Sequence, residues 1–248
     1  QTTLMRRFLF IVLILIVSGI SCGKEEVEQI EVHVPQGVKV PEDMVYIPAG
    51  EFIMGHPDEP KTKRGQKVST EAFLIERFEV TREQFKVFKS DYNFHPKKAR
   101  LPVSMVTFVQ AQEYCHWKGR RLPTEAEWEK AARGTDGRKW PWRNYYEHPN
   151  NGFSGFLSEP VDQREEWVSP YGVYGMGYNV WEWTSDWYAY DGIPETDRNR
   201  FKVIRGGLTQ THTVIKFSPT YYRNKVEPTA YFNFIGFRCL LGMASVGP

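Results

Sequence analysis

The sequence is poor in the side chains on which most catalytic chemistry depends. Of 248 residues only 3 are Cys and 6 are His. His33, His56, His95, His116, His148 and His212 stand far apart without ligand spacing, which excludes a histidine metal centre built from one local motif. There is no HExxH pair, no Gly-x-Ser-x-Gly elbow, no glycine-rich phosphate loop and no CxxCH. Zinc peptidase, α/β-hydrolase, P-loop nucleotide and covalent haem chemistry are thereby excluded. A charge of one sign is missing too: 32 basic and 30 acidic residues leave a net +2, so nothing points to nucleic acid as a partner.

Aromatic residues are abundant, at 15% of the chain, alongside 20 Gly and 16 Pro. That composition describes a compact, loop-rich fold with few long helices. The first residues differ from the rest. Arg6 and Arg7 precede an apolar run from Phe8 to Val17, followed by Ser18-Gly19-Ile20-Ser21-Cys22, the form of an export signal. Two anchors suit it. Cys22 becomes a lipidated N-terminus after cleavage, or the segment is retained, although as a helix it covers only about 22 Å of a hydrocarbon core of roughly 30 Å. Either way the domain is expected to be held at a membrane and to face the periplasm or cell exterior. Residues 23–43 read as a tether and 44–248 as a single folded domain. An oxidising compartment favours a disulfide between Cys115 and Cys239, and two buried thiols are the alternative.

Local patterns place the elements. Met44–Pro48 and Ala49–Gly55 suit two short strands, residues 56–69 a polar loop, and Ala72–Ile75 a buried strand. Thr81 with Gln84 forms a capping box for one helix that turns Phe85 and Phe88 inward. A second helix starts near Thr107, with Phe108, Ala111, Tyr114 and Cys115 on one stripe, and Gly119 ends it. Thr124 and Glu127 cap a third, whose inner face carries Trp128, Ala131 and Ala132 until Gly134. Residues 135–178 show no period, and strands return at Val180–Trp187, Phe201–Ile204 and Ile235–Leu240. In the first of these, alternation sets Trp181 and Trp183 opposite Glu182.

Four ordered motifs stand out: Arg121-Leu122-Pro123-Thr124-Glu125-Ala126-Glu127-Trp128-Glu129, Asn179-Val180-Trp181-Glu182-Trp183-Thr184-Ser185-Asp186, Arg205-Gly206-Gly207, and Gly236-Phe237-Arg238-Cys239. Together they resemble the formylglycine-generating-enzyme (sulfatase-modifying-factor) family, over about four-fifths of the chain. The resemblance implies an α+β domain of low regular secondary structure, related to C-type-lectin-like folds, with Cys115 and Cys239 paired. It also implies calcium near Asn179 and Glu182, although Gly175-Met176-Gly177-Tyr178 stand where the family usually has Asp-Met-Ser-Gly. Family enzymes oxidise a cysteine to formylglycine through two copper-binding cysteines. Those positions hold Thr211 and Lys216 here, and Leu208 replaces the usual Ser. Cu(I) seeks thiolates, so copper is not expected, and without a CxxCH neither is haem.

A non-catalytic, membrane-anchored structural or interaction subunit of a protein complex follows as the expected function. Trp140, Trp142, Tyr145, Tyr146, Tyr221 and Tyr222 are candidate contact residues, because aromatics are favoured at interface hot spots. An altered oxidase and a ligand- or carbohydrate-binding module are the rival readings.

Overall fold

A computed structural model describes residues 29–57, 65–143, 158–190, 192–211 and 214–243. Cys22, Tyr145, Tyr146, His148 and His212 lie outside them. The chain runs β1 (Met44–Ile47), β2 (Gly50–Met54), β3 (Gln66–Thr70), β4 (Phe73–Glu76), α1 (Arg82–Phe88), α2 (Phe108–Trp117) and α3 (Glu125–Arg133). It continues with β5 (Trp181–Trp187), β6 (Lys202–Gly206), β7 (Leu208–Thr211), β8 (Val214–Phe217), β9 (Arg223–Val226), β10 (Ile235–Gly236) and β11 (Leu240–Gly242). No described helix is long and apolar enough to cross a membrane.

All three α-helices start on reciprocal capping boxes. Oγ1 of Thr81, Thr107 and Thr124 accepts from the backbone N–H of Gln84, Gln110 and Glu127, whose side chains accept in return from the threonine N–H groups. Each box satisfies two of the donors that a helix start leaves orphaned. The box at Thr107 is absent from the sequence reading, which placed only the helix start there. At the far end of α3, Gly134 takes φ 71°. A Cβ built on it would lie 3.0 Å from Pro170 and 3.1 Å from Ile30, so both backbone angle and space favour glycine.

The sheets are assembled from remote segments. β4 lies between β1 and β11, both antiparallel to it, and the four-stranded sheet has the order β10-β5-β6-β9, with β10 parallel to β5. β1 and β2, neighbours in sequence, therefore belong to different sheets, since β2 pairs with β3. The expected polar loop over residues 56–69 is corrected at its end, where Gln66–Thr70 forms an exposed antiparallel partner for β2. β7 and β8 form a separate two-stranded hairpin.

One apolar cluster packs α1 and α2 against the four-stranded sheet through Phe85, Phe108, Tyr114, Trp183, Ile204 and Phe237. The Cys115–Cys239 disulfide lies in this cluster and links residues 124 apart. A second cluster sets Trp128, Ala131 and Ala132 of α3 against Ile47, Phe73 and Ile75. The expected tether is corrected in its later part. Ile30 and Val32 pack on the second cluster, Val38 and Val40 cover Met44 and Leu74, and the Ile30 N–H donates to Pro170 O at 2.8 Å. Residues 29–43 thus lie along the domain.

Candidate functional site

The four motifs meet in two buried ion clusters. The first is built on α3. Helical spacing puts Glu129 and Arg133 one turn apart, and Glu129 Oε1 accepts from Arg133 Nη1 and from the Gly55 N–H, both at 2.7 Å. Its Oε2 accepts from Arg205 Nη2. Arg133 donates further to the carbonyls of Gly55, Gly137 and Arg138, and Arg205 to those of Thr220 and Tyr221. Both guanidinium groups are fully buried. Arg205 Nε alone lacks an acceptor.

The two glycines after Arg205 let backbone and rings meet. Gly206 and Gly207 have φ 74° and 71°. A Cβ on Gly207 would come within 2.7 Å of three atoms of the Trp181 indole. The hairpin β7–β8 follows directly, and it carries positions 211 and 216.

The second cluster joins β5 to the Gly236–Cys239 segment. Glu182, opposite Trp181 and Trp183 on β5, is nonetheless fully buried, because that side of the strand is covered by α3 and Arg238. Its Oε1 and Oε2 accept from Arg238 Nη2 and Nε, each at 2.7 Å, and Oε2 accepts from Trp128 Nε1 at 2.9 Å. Arg238 also donates to the carbonyls of Glu76, Arg77 and Tyr174. Beside it lies Glu79, 1% exposed, with Arg238 Nη2 at 3.9 Å. Neither oxygen of Glu79 makes a hydrogen bond of full geometry, although the Asn179 side chain and the Glu79 N–H lie near enough to favour its charged form. Burial pushes the Glu79 carboxyl up to about 8, with Arg238 opposing and Glu182 adding to the rise.

These positions test the expected calcium ligands. Asn179, at φ 74°, turns its side chain to Glu159: Oδ1 accepts from the Glu159 N–H at 3.0 Å and Nδ2 donates to the Glu159 carbonyl at 3.3 Å. Its oxygen is thus engaged elsewhere. Glu182 is shared with Arg238 and Trp128. Asn179 and Glu182 therefore do not fit calcium as a pair, and among the described residues no three His, Cys, Asp or Glu side chains gather as a metal-binding group. Glu79, beside them, is a buried carboxylate that none of the four motifs contains. Sequence reading missed this residue, which precedes a capping box and looks like helix approach. The available signal was Gly175, standing where the family has a carboxylate.

The aromatic candidates also move. Trp142 is interior, against Trp167 at 5.8 Å, and Tyr178 completes that cluster at 5.2 Å from Trp167. Tyr221 is buried and stacks on His56 at 4.6 Å, while Trp140 and Tyr222 are half-buried against the core. These four are packing residues. Among the described residues the exposed aromatics are Trp117, Trp187, Tyr231, Phe232 and Phe234, of which the last two stack at 5.2 Å. An open groove of about 1010 Å³ lies between the β3–β4 turn, the end of α2 and β11. Its Arg120 is paired with Glu76 and Asp43, and its Arg121 with Glu127.

A single α+β domain with short helices, small remote-paired sheets and buried Arg–Glu clusters at its motifs is the formylglycine-generating-enzyme fold, of C-type-lectin-like kind. The chain belongs to the family of the sulfatase-modifying factor enzyme 1-like domain, whose profile matches residues 30–243. It is similar to the formylglycine-generating enzyme of Bos taurus, 29% identical over 80% of this chain and 74% of the relative. It is similar to the inactive C-alpha-formylglycine-generating enzyme 2 of Mus musculus, 30% identical over 79% and 84%. An uncharacterized protein of Bacillus subtilis, YfmG, is 28% identical over 85% of this chain, which spans 58% of that protein. Among solved structures, PvdO from Pseudomonas aeruginosa superposes with TM-score 0.66 at 24% identity, covering 85% of this chain and all of that one. Treponema denticola variable protein 1 also gives 0.66, at 23% identity over 80% and 94%. These likenesses establish the fold.

Proposed function

We propose that this domain is a non-catalytic structural or interaction subunit, held at a membrane through its N-terminal segment and presented to a protein complex on the exported side. The observation that carries the reading is the cysteine inventory. Cys115 and Cys239, the two cysteines among the described residues, are bonded to each other in the interior. The third, Cys22, sits in the signal-like segment. Positions 211 and 216, where the family's copper-binding cysteines fall, are Thr and Lys. Without a thiolate pair the family's copper chemistry has no ligands. A relative named as an inactive formylglycine-generating enzyme shows that the family contains such members.

The contact surface proposed for the partner is centred on Tyr231, Phe232 and Phe234, which are 56%, 41% and 40% exposed. The backbone there is tied to the core, since the Met105 N–H donates to Phe232 O and the Trp181 N–H to Phe234 O. Rings held on a fixed backbone lose little entropy on binding. Incubating the purified chain with Cu(I), oxygen and a cysteine-containing sulfatase peptide should give neither stoichiometric copper nor aldehyde by mass spectrometry. Appearance of both would end the non-catalytic reading. Extraction from native membranes in mild detergent should give a defined complex that the double substitution F232S/F234S dissolves. A monomer without partners would remove the interaction role.

A further inference from the structure

We propose that β3 is a self-association edge: two copies of this chain pair their Gln66–Thr70 strands, antiparallel, about a two-fold axis through Val68. The two β2–β3 ribbons then make one four-stranded sheet. This edge shares no residue with the aromatic surface assigned to a foreign partner.

Among the described residues β3 has a single ladder, to β2, and no backbone group outside that ladder bonds to it. Alternation turns every second N–H and C=O of the strand away from β2, which leaves an outer row of donors and acceptors to be paired. Such a row is a template for another strand. The edges of the larger sheets are closed by contrast. On β9 the Lys225 N–H donates to Asn224 Oδ1 at 2.8 Å, and the Arg223 guanidinium is tied to Glu125 and to Ala189 O. On β11 Leu240 exchanges two backbone bonds with Arg121. β3 has no such cover. It contains no proline, it runs through five consecutive pairs with β2 without a bulge, and its one charge, Lys67, is balanced by Glu51 at 3.5 Å. The ribbon is also firmly mounted. Phe52 and Met54 of β2 are buried, and Lys130 Nζ donates to Gly50 O at 2.9 Å and to Thr70 Oγ1 at 3.0 Å. An edge already fixed in place loses little entropy on pairing.

The residues of the edge select a second copy as its occupant. With the axis through Val68 all five positions pair: Gln66 of one copy faces Thr70 of the other, Lys67 faces Ser69, and Val68 faces Val68. No charge meets a like charge. An axis moved to Lys67 would set two ammonium groups opposite each other, which is unfavourable, and any displacement shortens the ladder. Antiparallel pairing of identical strands also closes on itself as a two-fold dimer and goes no further.

Sedimentation velocity of the purified chain in mild detergent, from about 1 μM to about 1 mM, should show monomer giving way to dimer. A monomer at every concentration overturns the proposal. Ser69 is exposed, so charged substitutions there should leave the circular dichroism spectrum unchanged. Ser69→Lys sets a cation against Lys67 twice per dimer and should weaken Kd by about twofold to thirtyfold, whereas Ser69→Glu should tighten it by a similar factor. Glu51, opposite Ser69 on β2, is present in monomer and dimer alike and cancels. Salt at about 1 M should bring the two variants together. Dimers with the same Kd in S69K and S69E would form through another surface, and that result also overturns the assignment of β3.

Discussion

The two buried ion clusters are built from the same residue types and reach opposite states. Around Glu129 two guanidinium groups share one hydrogen-bonded carboxylate, with Glu125 a further 3.7 Å from Arg205, and nearly every donor finds an oxygen: Arg133 and Arg205 use five backbone carbonyls besides. Around Arg238 one guanidinium meets two carboxylates, and it is bonded to Glu182 while Glu79 stands at 3.9 Å with no hydrogen bond of full geometry. A closed cluster is a cross-link, here joining α3, β6 and the residues after β2. An open one is strained electrostatically until something neutralises it. Burial alone does not tell them apart, since both are hidden from water; the count of donors against acceptors does.

Breaking the closed cluster should have the largest effect. Glu129→Ala removes the carboxylate hydrogen-bonded to both buried guanidiniums and leaves Arg205 only Glu125 at 3.7 Å, and a loss of about 3–5 kcal/mol is expected in urea titrations. A loss below about 1 kcal/mol would show that the carbonyls suffice. The open cluster should respond with the opposite sign. In calcium-free buffer at pH 9, above the value of about 8 to which burial pushes Glu79, Glu79→Gln should raise stability by about 1–3 kcal/mol.

The smallest effect separates both clusters from a partly exposed pair. Burial pushes Glu127 up, but the guanidinium of Arg121 and the Thr124 N–H outweigh it and hold Glu127 below the usual carboxylate range. A depressed folded value contributes stability above the unfolded one and loses it as pH falls through the folded one. Glu127→Gln preserves the capping box, so thermal melts should show a cost of about 1 kcal/mol at pH 7 that vanishes in acid. A cost independent of pH would assign it to geometry instead of charge.

The helices were legible because their signals are local. A threonine three residues before Gln or Glu, with an apolar stripe behind it, fixes where α1 and α3 begin whatever the rest of the chain does. Sheet partners were not legible in the same way. β1 precedes β2 by two residues, yet it pairs with β4, and β4 pairs with β11 some 165 residues on. β3 reads as a polar loop because its strand is exposed and its only partner is β2. The alternating apolar residues Ile30 and Val32 carried a strand-like signal of period two that the surrounding charges concealed. At the site, alternation around Glu182 separated it from Trp181 and Trp183 correctly. It could not say that Arg238 waited on the other side. Glu79 was invisible because its partners come from three remote stretches, and only the glycine at 175 hinted that a carboxylate had to be found elsewhere.

The sheet order has a consequence for how the molecule comes into being. β4 has one edge covered by β1 and the other by β11, and the disulfide partner Cys239 precedes β11 by a single position. Until residues 240–242 have been made, the strand Phe73–Glu76 presents an open, apolar edge, and Cys115 has no neighbour to oxidise with. The nascent chain therefore cannot close as it emerges. Folding must wait until residues 240–242 have been made, and over that interval the unpaired edge is the part of the molecule most in need of a chaperone.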